Sequence, residues 1–257
     1  MAQFVTAETL AAQPGLAHAF FTRRGGVSTG PFAALNCSLS GRDDPDAVRE
    51  NRRRAADAIG LPARSLAALT QVHGPDVAVV ETPWPDDRRP KADAMVTRHR
   101  GVTLGIVTAD CAPVLFADPQ MGVIGAAHAG WRGAVGGVLE ATIEAMLTLG
   151  ARRERIVTAV GPCIRQPSYE VAADLRDAVL ARDAADARFF GDGRREGRWQ
   201  FDLAGYCAGR LAAAGVGVEV TPHDTLALEE AFFSHRRNTL AGGGPIGHQL
   251  SAIALAP

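Results

Sequence analysis

The sequence predicts an α+β fold, a single domain over residues 1–257 in which mixed β-sheets are covered by helices and a site forms at strand ends. Three observations predict it. Short apolar runs recur along the chain and end in polar or glycine-rich turns, as buried strands do. Between them stand longer segments of helical periodicity that begin at carboxylate caps and stop at glycine. No repeat, low-complexity segment or linker divides the chain, and 257 residues suffice for one full core.

Composition narrows the function. The formal net charge is -1, from 27 basic and 28 acidic residues spread along the chain, so no global field gathers nucleic acid or an acidic membrane. No window approaches the length of a membrane span. The N-terminal segment lacks a basic region followed by a long apolar stretch, which argues against export and for a cytoplasmic protein. The four cysteines, Cys37, Cys111, Cys163 and Cys207, show no CxxC spacing, so neither a disulfide framework nor a zinc ribbon is expected.

In chain order, residues 18–22 read as a strand that ends in the glycine-rich turn 23–32. There Arg23 and Arg24 either meet an anionic or hydroxylated ligand or are solvated loop residues. Asn36 belongs to the same unit. Asp43, Asp44, Pro45 and Asp46 start a helix that stops at Gly60, and its arginine run 52–54 is read as a solvated face. Residues 66–72 and 77–80 read as strands around a turn that carries His73, and residues 94–97 resume the sheet.

Residues 103–133 form the centre of the pattern. Apolar runs 104–107 and 114–116 flank Thr108, Asp110 and Cys111, and a third run, 123–127, leads into His128 and the glycine-rich junction with a helix over 134–149. Cys111 and His128 should therefore arrive at the ends of neighbouring strands. Residues 156–160 make a buried strand, Ser168 is expected to cap a second helix and Asp202 a third, and 183–197 should wander over the surface. Cys163 and Cys207 read as packing residues. Residues 218–220, 231–235 and 253–255 read as strands, with His235 and Arg236 either reaching the site or lying in an exposed turn. The glycine-rich stretch 241–247 reads as flexible.

His73, Cys111 and His128 are the candidate site. Two imidazoles and a thiolate bind zinc tetrahedrally with one position open, and the same donor types serve copper. They stand far apart in the sequence, so spacing leaves open whether they meet or are scattered core and surface residues.

The blocks TRRGGVSTGPF followed by LN, QVHG, ADAMVT, TADCAPVLFAD, GVIGAAHAGWRG, GPCI, YEV, FDL and FFSHRRN resemble the YfiH family over nearly the whole chain. That family is described both as polyphenol oxidoreductase (laccase) and as purine nucleoside phosphorylase. The resemblance implies a YfiH-like fold, a metal site, usually zinc, at His73, Cys111 and His128, and pocket segments at Asn36 and the loop that starts at Arg23. It implies phosphorolysis of purine nucleosides (adenosine, inosine, guanosine, methylthioadenosine) to base and ribose 1-phosphate, together with adenosine deamination. Arg23, Arg132 and Arg236 are the candidates for phosphate. The chain departs from the family after Arg237, where NTLAGGGPIGHQ replaces a TGR-like segment and His235 stands for a common tyrosine. A monomer acting on nucleoside and phosphate is expected. The rival readings are a copper-dependent phenol oxidase, a cysteine hydrolase or amidase editing peptidoglycan precursors with Cys111 as nucleophile and His128 as base, and a non-catalytic metal-binding module. Seven histidines are few for the several copper clusters of a conventional multicopper oxidase.

Overall fold

In the computed structural model, which describes residues 1–256, the apolar runs become strands covered on both faces. β1 (Phe4–Val5), α1 (Glu8–Ala11) and β2 (Leu16–Phe21) precede the glycine-rich turn, and α2 (Pro45–Ala58) follows it. Asp44 caps α2, its carboxylate accepting from the Asp46 amide at 2.9 Å, and Gly60 adopts a left-handed conformation just past the end. Arg52 departs from the expected solvated face, for it is buried, whereas Arg53 and Arg54 pair with Glu50.

β3 (Leu66–Ala67), β4 (Val77–Val79), β5 (Ala94–Thr97), β6 (Thr103–Thr108), β7 (Ala112–Asp118) and β8 (Val123–Ala129) come next. The strand expected over 66–72 is shorter than read. Beyond β3 the Gln71 side chain takes the place of backbone pairing, donating to the Val107 carbonyl at 2.8 Å and accepting from its amide at 3.0 Å. The helix expected over 134–149 is two helices, α3 (Trp131–Gly136) and α4 (Val138–Thr148), because Gly137 takes φ 96° between them.

β9 (Val157–Val160), β10 (Glu170–Val171), α5 (Ala173–Arg182), β11 (Phe190–Asp192), β12 (Trp199–Phe201), α6 (Leu203–Ala213), β13 (Gly217–Val220), α7 (His235–Leu240) and β14 (Gln249–Leu255) complete the chain. Ser168 does not cap a helix; it donates to Asp224 at 2.6 Å, and the residues after it pair as β10. Residues 183–197 are only in part a surface excursion, since β11 and β12 form a hairpin on which Phe190 stacks against Phe201 with ring centroids 4.8 Å apart. Residues 231–235 are not a strand. Phe232 and Phe233 are buried, and Ser234 instead caps α7 by accepting from the Arg237 amide at 3.1 Å.

Two large sheets stack. One runs β1-β2-β14-β6-β3, the other β13-β9-β7-β8-β5-β4, and β10-β12-β11 forms a small third. Strand alternation explains the layers. Leu115, Ala117, Ile124 and Ala126 meet Phe20, Leu104, Ile106 and Ile253 in the core between the large sheets. Their neighbours Val114, Phe116, Val123 and Ala127 point the other way, onto α4 and α6 through Leu139, Ile143, Met146 and Leu211. On the far side, Ala19, Phe21, Leu250 and Ala252 pack against Ala55 of α2. A strand buried on both faces needs apolar residues at successive positions, which is why the runs read as continuous. β14, which takes in the strand expected at 253–255, lies at the centre of its sheet between β2 and β6.

Candidate functional site

The chain crosses from one large sheet to the other between β6 and β7, through Ala109, Asp110 and Cys111. Asp110 holds φ 88°, a conformation that costs a residue with a Cβ and persists only when its surroundings enforce it. Here they do. Its carboxylate accepts from the Thr225 hydroxyl at 2.6 Å, the Ser234 hydroxyl at 2.9 Å and the Arg236 amide at 2.6 Å, and its carbonyl accepts from the Ile164 amide at 2.9 Å. Cys111 is thus delivered just before β7. The β7/β8 register, Ala112 opposite Ala129 and Pro113 opposite His128, sets the cysteine beside His128.

His73 arrives from the turn before β4 with φ 61°, and its ring meets that of His128 edge-on, with centroids 4.7 Å apart. The turn is clamped by Asp93, a fully buried carboxylate just ahead of β5. Asp93 accepts from the amides of Val72 at 2.9 Å, His73 at 2.9 Å and Gly74 at 2.8 Å, and its Oδ1 lies 2.7 Å from His128 Nδ1. One carboxylate therefore shapes the loop of one imidazole and orients the ring of the other. With Nδ1 committed to Asp93, Nε2 is the nitrogen of His128 left to meet a ligand once it gives up its proton. Gly130 completes the floor: a Cβ there would lie 2.9 Å from His73 Cδ2 and 3.0 Å from Cys111 Sγ, so a larger residue would push both aside.

Electrostatics follows the packing. Burial raises the Cys111 thiol, yet the adjoining His128 and His73 outweigh it and bring the group down to about 6. Burial lowers His128, but the Cys111 thiolate and Asp93 raise it to about 9. Burial would raise Asp93, and its hydrogen bonds from His128 and the loop amides hold it below the ordinary carboxylate range. The three donor atoms of His73, Cys111 and His128 all lie within 4.8 Å of one another. Ligands of a tetrahedral zinc stand about 3.5 Å apart, so small side-chain adjustments suffice and the donor set fits. Among the described residues this is the one place where three such groups converge.

The donors sit in a pocket of 610 Å³. Arg132, His235 and Arg236 stand on its wall, while Arg23 and Asn36 do not. Arg23 spends its guanidinium on the Ala33 carbonyl, at 2.9 and 2.7 Å, and lies over the Phe233 ring. Asn36 is fully buried, donating to Asp43 at 2.9 Å and accepting from the amides of Ser38 and His248 at 3.2 and 2.9 Å. The glycines of that turn serve backbone packing: a Cβ on Gly25 or Gly26 would fall on the backbone of Met1 or Ala34. Cys163 and Cys207 are fully buried and their thiols are pushed up by burial, in keeping with packing roles.

Asp93 is the residue of the candidate site that sequence reasoning passed over. Its signal was slight, a single acid opening the apolar segment ADAMVT. Arg89 and His248 also line the pocket and carried no local signature, whereas Tyr169, on the same wall, opens the block YEV.

Comparison with known proteins covers almost the entire chain. Residues 17–256 match the family described as multi-copper polyphenol oxidoreductase laccase. A Deinococcus radiodurans protein named purine nucleoside phosphorylase is 46% identical over 251 residues, 94% of this chain and 91% of its own. A Streptomyces griseus protein named purine nucleoside phosphorylase ORF3 is 42% identical over 239 residues, 89% and 92% of the two chains. The structure of the Neisseria meningitidis protein NMB0706 superposes with a TM-score of 0.86 at 35% identity, over 99% of each chain. That of the Bacillus licheniformis hypothetical protein YfiH superposes with a TM-score of 0.87 at 28% identity, over 93% of this chain and 92% of its own.

Proposed function

The chain belongs to the YfiH family of multi-copper polyphenol oxidoreductase laccases, and we propose that it is a purine nucleoside phosphorylase with a zinc ion held by His73, Cys111 and His128. The observation that carries this reading is the convergence of those donors at the floor of a pocket whose wall bears Arg132 and Arg236. Relatives named purine nucleoside phosphorylase support the same activity. Zinc in such a site supplies Lewis-acid activation of an oxygen group at neutral pH, which also suits adenosine deamination as a second activity.

The chain's own residues then divide the work. Asp93 keeps His128 in one tautomer and one orientation. Arg132 is exposed, its guanidinium 4.3 Å from the Trp131 ring, and is free to meet phosphate. Arg236 is partly committed, donating to the Glu170 carbonyl at 2.8 Å. In phosphorolysis a phosphate oxygen bonds to the ribose C1′ as the bond from C1′ to the base nitrogen breaks; the base leaves with that electron pair and takes a proton. Cationic groups stabilise the phosphate and its charge along this path. Inosine turnover should therefore require phosphate and yield ribose 1-phosphate. Equal turnover without phosphate, with ribose as product, would replace phosphorolysis by hydrolysis. Ammonia release from adenosine tests the deaminase activity by itself.

One observation favours a second reading. Cys111, His128 and Asp93 stand in the order of a nucleophile, a base and an orienting carboxylate, with the thiol lowered and the imidazole raised as in a thiolate–imidazolium pair. A covalent substrate adduct on Cys111 in metal-free protein would favour this cysteine-hydrolase reading. Metal analysis of protein purified without added metal separates zinc from copper.

A further inference from the structure

Outside the pocket, a cleft of 460 Å³ opens between α2 and the loop of residues 83–86. Three guanidinium groups line it, Arg49 and Arg52 from α2 and Arg64 from the turn that follows, along with Pro83, Trp84 and Asp86. Arg52 is the unusual one. It is only 8% exposed, its sole protein partner is the Cys37 carbonyl, 3.3 Å from Nη1, and no carboxylate lies within ion-pairing distance. Its Nε and Nη2 have no hydrogen-bond partner, and the residue lines the cleft. A buried guanidinium with part of its donor fork unused is costly, and the cost is relieved by an anion that accepts from the fork.

The neighbours point to the same ligand chemistry. Arg64 has no ion-pair partner among the described residues, and Arg49 pairs only with Asp46, whose side chain is 87% exposed. Asp86, the one acid on the lining, offsets a single charge of the three. We propose that this cleft binds a nucleoside monophosphate, with the phosphate on Arg52, Arg49 and Arg64 and the base against Trp84. Guanidinium forks match phosphate oxygens two at a time, and an indole between two prolines offers the apolar aromatic wall on which a base stacks. The volume is also far larger than a bare phosphate requires and falls within the range of organic ligand sites.

The cleft shares no lining residue with the pocket of His73, Cys111 and His128. Arg89, from the end of the same loop, faces the pocket and donates to the Leu69 carbonyl at 3.1 Å and the Ser40 hydroxyl at 3.4 Å. The inference stands whether or not the pocket is a phosphorylase, because it rests on a separate set of side chains.

The chain has three tryptophans, so Trp131→Phe with Trp199→Phe leaves Trp84 as the only indole and its emission as a reporter of this cleft. Adenosine 5′-monophosphate titrated into that variant, its fold checked by circular dichroism, should quench Trp84 saturably. Adenosine, orthophosphate and ribose 5-phosphate should each bind at least about tenfold more weakly, since each lacks one half of the recognition. Adding Arg49→Ala and Arg64→Ala, both at exposed positions, should weaken the nucleotide at least about tenfold while the circular dichroism is unchanged. Absence of a saturable change at millimolar nucleotide, or an affinity untouched by the two arginine substitutions, would overturn the site. Equal affinity for ribose 5-phosphate would overturn the nucleotide assignment.

Discussion

At the floor of the pocket each donor is held from more than one side, whereas on its wall Arg132 is held by little. His128 is fixed by Asp93 through its ring and its place in β8, His73 by a loop whose amides converge on the same carboxylate, and Cys111 by the bonded Asp110 beside it. Arg132, by contrast, rests on its own neighbouring Trp131 and is exposed. Groups that must share one ion need fixed separations, while groups that greet a diffusing anion need reach and hydration. The two zones should therefore fail in different ways when altered.

The largest effect should come from the floor donors themselves. His73→Ala, Cys111→Ala and His128→Ala should each abolish stoichiometric zinc and lower phosphorolysis by more than about a hundredfold, measured as metal per chain beside inosine turnover. Full zinc in Cys111→Ala would break the comparison, since the thiol would then be a nucleophile and not part of a shared cage.

Asp93→Asn comes second. The amide still offers one acceptor oxygen but cannot serve three loop amides and the imidazole together, so zinc affinity should fall about 10- to 100-fold in a chelator competition. An affinity within about twofold of wild type would show that the floor holds its donors without the carboxylate.

On the wall, Arg132→Ala should raise the KM for phosphate about tenfold and leave zinc content unchanged, as expected for loss of a charge-assisted hydrogen bond. Arg23→Ala sharpens the contrast. Its guanidinium is bound to the Ala33 carbonyl, so the variant should melt at a lower temperature with the KM for phosphate unaltered. A KM effect at Arg23 equal to that at Arg132 would return the glycine-rich turn to the pocket.

The smallest effect lies far from both zones. His18 accepts from the Ala7 amide at 2.9 Å, which requires a neutral Nε2, and burial lowers it from 6.5 against the opposing pull of Glu219. A histidine depressed in the folded state contributes stability that is full above 6.5 and declines as pH falls from there towards the lowered folded value, because only the unfolded chain gains the proton. Thermal stability between about pH 7.5 and about pH 5, a window that brackets the ordinary imidazole value, should decline more for wild type than for His18→Gln. Parallel declines would remove His18 from the balance.

Much of this was visible beforehand because local rules are strong where the chain is regular. Asp44 and Asp202 cap helices as their spacing implied, and the runs in residues 103–127 are strands. Local rules misled where a side chain found a distant partner. Ser168 had a cap's chemistry but went to Asp224, and Phe232 and Phe233 looked like a strand because they are apolar, though they enter the core from the turn before α7. Gly137 was hidden inside a periodic pattern, since one left-handed residue leaves the apolar spacing on either side almost unchanged.

The sequence by itself determined most of the elements around the site, residue types that could hold a metal, and, through the specific blocks around Cys111 and His128, the family. Those properties live in propensity, capping and side-chain chemistry, which act over a few residues. Only the tertiary structure decided that His73 meets the other two, that Asp93 ties loop to imidazole, that Arg23 and Asn36 do not line the pocket, and that Arg52 is buried without an ion-pair partner. Each of these depends on pairing across two stacked sheets or on packing against α2, where separation in space is set by register and layer order and leaves no trace in local spacing.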